Sequence, residues 1–426
     1  MKPSQPKEWN RLDNAAKIFP PNSNKRDTKT FRFACQLKEP VCPQLLQDAL
    51  DQTAEQFPIF CSVMKHGFFW CYLERSSQRV LVTEENLPPC SPLYDYAMRN
   101  VLFRVSYYGP RINLEVYHAL TDGTGAMEFL KFLVSQYLKL RYPKELKEFT
   151  PAGYDASQDQ QTEDSFLKYY DPANKFPRPK NKVAYRIKGE YVPVGNLQVI
   201  EGCVPVKETL SLAKSYGVTL SVFLTALLLQ SIGETMTVRQ KRRPVVSAVP
   251  VNLRNFFPSE TARNFFGVIN AGYHFGEGSG QFEEIVQQVK EQFARELTKE
   301  KLAARIHIMA ALEGNPVLRV VPWALKNPIL HLANSVTKRY TTTSISNLGK
   351  VEMPPQVQEY IQQFNVFVST DKVQACVCSY RDKLTINFTS AFVSTAVPTA
   401  FFRKLAEWGI PVEITATREE EGEVQG

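Results

Sequence analysis

The spacing of apolar residues predicts strands and helices in close succession. Residues 28–37 (TKTFRFACQL) and 111–117 (RINLEVY) alternate apolar with polar. The second run places Ile112, Leu114 and Val116 on one face, as a half-buried strand requires. Residues 67–74 (GFFWCYLE) and 101–108 (VLFRVSYY) are rich in the aromatic and β-branched types that fit a pleated surface, and are predicted as further strands. Pro43 opens a helical segment with Leu46, Ala49, Leu50 and Ala54 on one side; proline suits a first turn, where its missing N–H leaves no bond unmade. A second helix is predicted over 124–140, with Met127, Leu130, Val134, Tyr137 and Leu138 along one stripe.

From about 153 to 182 the periodicity fades into Gln, Asp, Pro, Asn and Lys, a composition that suits a crossover. Beyond it the pattern predicts strands near 184–205, a helix over 207–216 ended by Gly217, and a helix over 218–232 that is apolar on most faces and hence buried. Strands are expected at 245–251, 266–275, 341–346, 364–370, 373–380 and 384–390, with helices at 282–313 (continuous or broken) and 398–408. Strands follow strands as well as helices, so the fold class is α/β (α+β), with a mixed sheet in each of two halves, 1–178 and 179–426.

Composition narrows the picture. The chain has 426 residues, 43% hydrophobic and 22% charged, enough to bury a large core and unlike disordered or fibrous sequences. No apolar run reaches the roughly 18 residues of a membrane span. The first eleven residues are polar, and the 8 Cys show no regular spacing, so the expectation is a reduced, cytoplasmic monomer without a disulfide framework. Cys376 and Cys378 share a strand face, but no His or Cys set completes a zinc site, and no metal is expected. The net charge of +8 is unevenly placed. One basic stretch holds Lys175, Arg178, Lys180, Lys182, Arg186 and Lys188; another holds Arg239, Lys241, Arg242 and Arg243. Both read first as solvated faces and second as contacts to a phosphate-bearing ligand. No nucleic-acid-binding signature accompanies them. The acidic residues at 418–423 are expected to fray.

The sharpest local feature is Tyr117-His118-Ala119-Leu120-Thr121-Asp122-Gly123, between a predicted strand and a predicted helix. A histidine there can project into a cleft, and its ordinary pKa near 6.5 lets it take a proton at neutral pH. Asp122 also reads as the N-cap of the following helix, and His118 as a hydrogen-bonded core residue.

HALTDG resembles the HxxxDG motif of the coenzyme A-dependent acyltransferase superfamily, which includes chloramphenicol acetyltransferase, plant BAHD enzymes, condensation domains and alcohol acetyltransferases. Four further segments resemble the superfamily in order: 40–60 (PVCPQLLQDALDQTAEQFPIF), 212–232 (LAKSYGVTLSVFLTALLLQSI), 249–267 (VPVNLRNFFPSETARNFFG) and 344–349 (SISNLG). Tyr117 stands where many condensation domains carry a first histidine, and the plant DFGWG is replaced by SNLG, closest in look to the alcohol acetyltransferases.

The resemblance implies two chloramphenicol-acetyltransferase-like domains with a tunnel between them. It implies acyl transfer, acetyl by expectation, from acyl-coenzyme A as co-substrate to a small-molecule alcohol or amine, with no resident cofactor. His118 would be the general base, one ring nitrogen held by a backbone carbonyl. Asp122 would pair with Arg254, with Arg32 as the alternative partner. Gly123, Ser346 and Asn347 are the candidates for binding the oxyanion, although the last two also read as an ordinary strand exit. Arg239, Lys241, Arg242 and Arg243 are the candidates for the coenzyme A phosphates, and Tyr117, Phe265 and Phe266 for the tunnel wall. Two other readings stay open: a stand-alone condensation-type domain fed by a carrier protein, and a binding protein that keeps the fold without catalysis.

Overall fold

The computed structural model describes residues 9–95, 97–153, 157–171, 182–314 and 320–416. Its first half contains strands β1 (Trp9–Arg11), β2 (Thr30–Leu37), β3 (Ser62–His66), β4 (Cys71–Arg75), β5 (Thr83–Glu84), β6 (Phe103–Tyr108) and β7 (Arg111–Tyr117). Helices α1 (Pro43–Gln56) and α2 (Gly123–Arg141), with the short α3 (Gln158–Thr162) and α4 (Ser165–Lys168), complete it. The second half runs β8 (Gln198–Pro205), α5 (Val206–Ser215), α6 (Leu220–Glu234), β9 (Val245–Asn252), β10 (Phe266–Tyr273), α7 (Phe282–Glu296), α8 (Lys299–Gly314) and α9 (Trp323–Thr337). It ends with β11 (Thr343–Lys350), β12 (Ile361–Val368), β13 (Val373–Tyr380), β14 (Lys383–Ser390), α10 (Ala396–Glu407) and β15 (Glu413–Ala416).

A five-stranded sheet, β12-β2-β7-β6-β5, serves the first half, and a seven-stranded sheet, β10-β9-β11-β13-β14-β8-β15, the second. The larger sheet is mixed because β11 runs parallel to both β9 and β13. Strand β12 comes from the second half of the sequence yet pairs antiparallel with β2, so backbone hydrogen bonds join the halves. Each half has its own apolar core. Helix α6 lies at the centre of the second, buried on nearly every side, which explains its lack of a polar face. Helix α5 ends where expected: Gly217 takes φ +67, a conformation open to glycine without steric cost, and the Val218 N–H reaches the Ala213 carbonyl.

Some expectations fail. Residues 67–74 are not one strand but a turn and the strand β4, with β3 as the other arm; Phe68 and Phe69 are exposed in the turn, so their apolar character reported no core face. In 184–205 only β8 is a strand; before it the chain makes a single bridge, Tyr191 to Phe392. Helix α9 carries Pro328 internally and turns Leu325, Ile329 and Leu332 to solvent, so neither proline nor amphipathicity predicted it. The 178/179 boundary, Lys175, Arg178, Lys180 and residues 418–423 lie outside the described residues. Among the described residues no single helix is long and apolar enough to cross a membrane.

Candidate active site

Strand β7 ends at Tyr117, and the next N–H, that of His118, bonds the Lys29 carbonyl beside β2. The imidazole leaves the end of this central strand and enters a cavity of about 270 Å³ between the two halves. Phe31 and Phe33 line it from the first half; Asn252, Phe266 and Ser346 line it from the second. Phe19 stacks on the His118 ring at 4.5 Å and Phe31 meets it edge-on at 5.0 Å, so the ring plane is fixed by packing.

Its protonation is fixed by a chain of side chains. His118 Nδ1 lies 3.1 Å from Asn264 Oδ1. Asn264 Nδ2 donates to Asp13 Oδ2 at 3.1 Å, and a carboxylate only accepts, so the amide oxygen must face the histidine. Nδ1 therefore carries the hydrogen and Nε2 is the acceptor. Among the described residues no protein group bonds Nε2. The ring is held by the Asn264 side-chain amide and also by its own main chain, the kind of backbone contact that was expected. Burial pushes the imidazole below its ordinary pKa; its own main chain, Asp122 and Asn264 oppose the shift, and Lys29 adds to it. The ring is thus neutral at pH 7.

Asp122 makes both of its anticipated contacts. Oδ1 caps α2, accepting from Thr124 and Gly125 N–H at 3.0 and 3.2 Å. Oδ2 accepts from Arg254 Nη1 and from Phe265 N–H, both at 2.8 Å. Arg254 then reaches the carbonyls of Thr261 and Arg263 through Nη2. The pair consequently ties the His118 loop to the loop that carries Asn264. Closeness is essential here: a Cβ on Gly125 would collide with the Ala262 carbonyl and Thr121 Oγ1, which hydrogen-bond each other. Arg32 is engaged elsewhere, with Glu85 and Glu115.

Gly123 and Ser346 both line the cavity. Gly123 is the first residue of α2, where no intrahelical acceptor exists for its N–H. Asn347 also borders the cavity, but its Nδ2 donates to Ser221 and its Oδ1 accepts the Gly349 N–H, so its amide holds the strand exit to α6. Of the three wall candidates only Phe266 lines the cavity. Tyr117 is buried, bonded to Ser23 and stacked on Tyr94; Phe265 is buried against Phe166. Arg239, Lys241, Arg242 and Arg243 do not line it either. They lie in and beside the turn Gln240–Arg242 before β9, whereas the cavity borders Pro250, Val251 and Asn252 at the far end of that strand, roughly 17–23 Å along it at the usual rise per residue. Among the described residues no three His, Cys, Asp or Glu side chains are placed to hold a metal.

No protein-family model and no curated protein sequence matches this chain. Solved structures match it over nearly its whole length. A TRI101 structure from Fusarium sporotrichioides, complexed with coenzyme A and T-2, superposes with TM-score 0.62 at 10% identity, covering 96% of this chain and 99% of that one. The TRI3 trichothecene 15-O-acetyltransferase of the same fungus gives TM-score 0.60 at 12% identity, covering 94% of each chain. The first condensation domain of the calcium-dependent antibiotic synthetase gives 0.61 at 14%, covering 95% and 97%. The fold is that of coenzyme A acyltransferases and condensation domains.

Within this acyltransferase-type fold, reasoning from sequence missed Asp13 and Asn264. Asn264 lies inside the stretch 249–267 that resembles the superfamily, but Asp13 sits in a segment with no periodic signal. Ser344, which shares the cavity face of β11 with Ser346, was also overlooked; the period-two alternation of β11 could have found it.

Proposed function

We propose that the protein transfers an acyl group from acyl-coenzyme A to a hydroxyl, with His118 as general base. The observation that carries this reading is the held imidazole: Nδ1–H is committed to Asn264, and the neutral Nε2 is unclaimed at a cavity bordered by both halves. The hydroxyl proton passes to Nε2 as the oxygen attacks the thioester carbonyl. The tetrahedral oxyanion is held by Ser346 Oγ and the Gly123 N–H. Collapse breaks the carbon–sulfur bond, and the leaving thiolate takes the proton back from the imidazolium. Asp122 exchanges no proton; its four hydrogen bonds fix the loop. A general base of this kind contributes about 10²–10⁴-fold.

A second reading has one observation in its favour. The basic run 239–243 lies away from the cavity, so the donor thioester could instead arrive on a carrier protein, as in condensation-type transfer. Thiol release from acetyl-coenzyme A with an alcohol panel tests the first reading; turnover with an acyl carrier protein alone would select the second. His118→Ala is expected to keep its fold and its acyl-coenzyme A affinity while losing at least about 10²-fold in kcat. Near-parental turnover by this variant would refute the assignment.

A further inference from the structure

A second cavity, of about 320 Å³, lies near the first. Its wall contains Arg186, Lys338, Arg339 and Lys372 against one carboxylate, Asp371. Lys338 Nζ bridges Asp371 at 2.7 Å and the buried Asp27 at 3.2 Å. Lys372 Nζ is fixed on the carbonyl and hydroxyl of Thr341 at 2.6 and 2.9 Å. The guanidinium groups of Arg186 and Arg339 have no carboxylate partner among the described residues. Four cationic side chains from three stretches of chain therefore converge on one concave site, two of them unneutralised.

The position of this cavity is informative. Thr341, Thr342, Asp371 and Lys372 border it, while Ser344 and Gln374, two residues further along the same strands, border the His118 cavity. Two residues of strand span roughly 7 Å. Asn22 lines the basic cavity and its N–H bonds the carbonyl of Phe19, the residue stacked on His118. The two cavity walls are therefore adjacent, which suits a small molecule that reaches from a hydroxyl at His118 to a charged group at the basic cavity.

We infer that this basic cavity holds the carboxylate or phosphate of an anionic acyl acceptor, so that the acceptor is a hydroxy acid or a phosphorylated alcohol. The inference rests on the acyl-transfer reading of the His118 site. Arginine forks match the paired oxygens of either anion, and their planar geometry favours such recognition. Burial, together with the neighbouring cations Lys338, Arg186 and Lys29, pushes Lys372 down to about 8 against the opposing Asp371; an anion would relieve that crowding.

The test uses the full-length protein and the double variant Arg186→Gln/Arg339→Gln. Both side chains are exposed, so the fold should survive. Inorganic phosphate, titrated without acyl donor, is expected to raise the parent melting temperature saturably and to have at least tenfold weaker affinity for the variant. In the transfer assay, glycerol 3-phosphate is compared with glycerol, and a hydroxycarboxylate with the matching diol. The parent should favour one or both anionic acceptors by at least tenfold in kcat/KM, and the variant should lose that preference. Preference for the phosphate alone or the carboxylate alone identifies the anion. Equal phosphate affinity in parent and variant, or a variant effect confined to the KM of acyl-coenzyme A, would overturn the inference. If no acceptor is acylated at all, the acyl-transfer reading fails, and the phosphate titration still decides whether the basic cavity binds anions.

Discussion

Replacing Asp122 by asparagine tests the architecture of the site directly. The carboxylate accepts four N–H groups, two on each oxygen, and its side chain and that of Arg254 are only 6% and 11% exposed. An amide placed with its oxygen toward α2 presents NH₂ to Arg254 Nη1 and Phe265 N–H; flipped, it presents NH₂ to the Thr124 and Gly125 N–H groups. Either way two donors face a donor, and the guanidinium loses its counter-charge. Breaking a buried pair in this manner costs about 3–5 kcal/mol. With an unfolding entropy of about 2.1 cal/mol/K per residue over 426 residues, 1 kcal/mol is worth roughly 1 °C, and the melting temperature should fall by roughly 3–6 °C. Activity should fall as well, because Arg254 no longer secures the loop that presents Asn264 to His118. The pH–rate profile separates this role from proton transfer. On the proposed mechanism, activity should be lost as pH falls through the His118 pKa, since only the neutral ring accepts a proton. The Asp122 charge raises that pKa, so removing it should move the acid limb to lower pH. Differential scanning fluorimetry and a thiol-release pH series make both measurements. A variant with parental melting temperature and parental kcat, or an acid limb displaced to higher pH, would refute the reasoning.

Asn264→Leu should reduce kcat by at least about tenfold yet by less than the roughly 10²–10⁴-fold ascribed to the base itself, because Nδ1–H loses the acceptor that selects the tautomer. Stopped-flow thiol release with KM measured for both substrates checks this, and an effect on KM alone would count against a positioning role. Ser346→Ala should lower kcat by about 10²–10³-fold with little change in KM if its hydroxyl meets the oxyanion; circular dichroism would establish that the fold is retained. Arg239→Gln/Arg242→Gln should leave the KM of acyl-coenzyme A within about twofold, since that turn lies at the far end of β9 from the cavity.

Local pattern was enough to predict much of the fold. Alternation located β2, β7, β9, β13 and β14 to within a few residues, because one-sided burial leaves a period-two trace on its own segment. Proline at the start of α1, the apolar surface of α6 and glycine after α5 are likewise local consequences of helix chemistry. His118 was legible because a strand end, a histidine, an aspartate and two glycines fall within nine residues. Exposed apolar side chains defeated the same logic in the 67–70 turn and in α9, where hydrophobicity did not mean burial.

The working parts of the site carry no such trace. Asn264 is 146 residues from His118, and Asp13 is 251 residues from Asn264, so nothing in either neighbourhood announces the contact. Sequence alone left Arg254 and Arg32 as alternative partners for Asp122; loop packing chose Arg254, while Glu85 and Glu115 took Arg32. It also could not tell that Tyr117 and Phe265 face core while Phe266 faces the cavity. By itself the sequence determined most of the segments that form strands and helices, and that a histidine stands at the end of one strand. Only the tertiary structure decided the tautomer of that histidine, the partner of its aspartate and the walls of its cavity, because hydrogen bonds and ion pairs act over about 3 Å between groups that the chain itself keeps far apart.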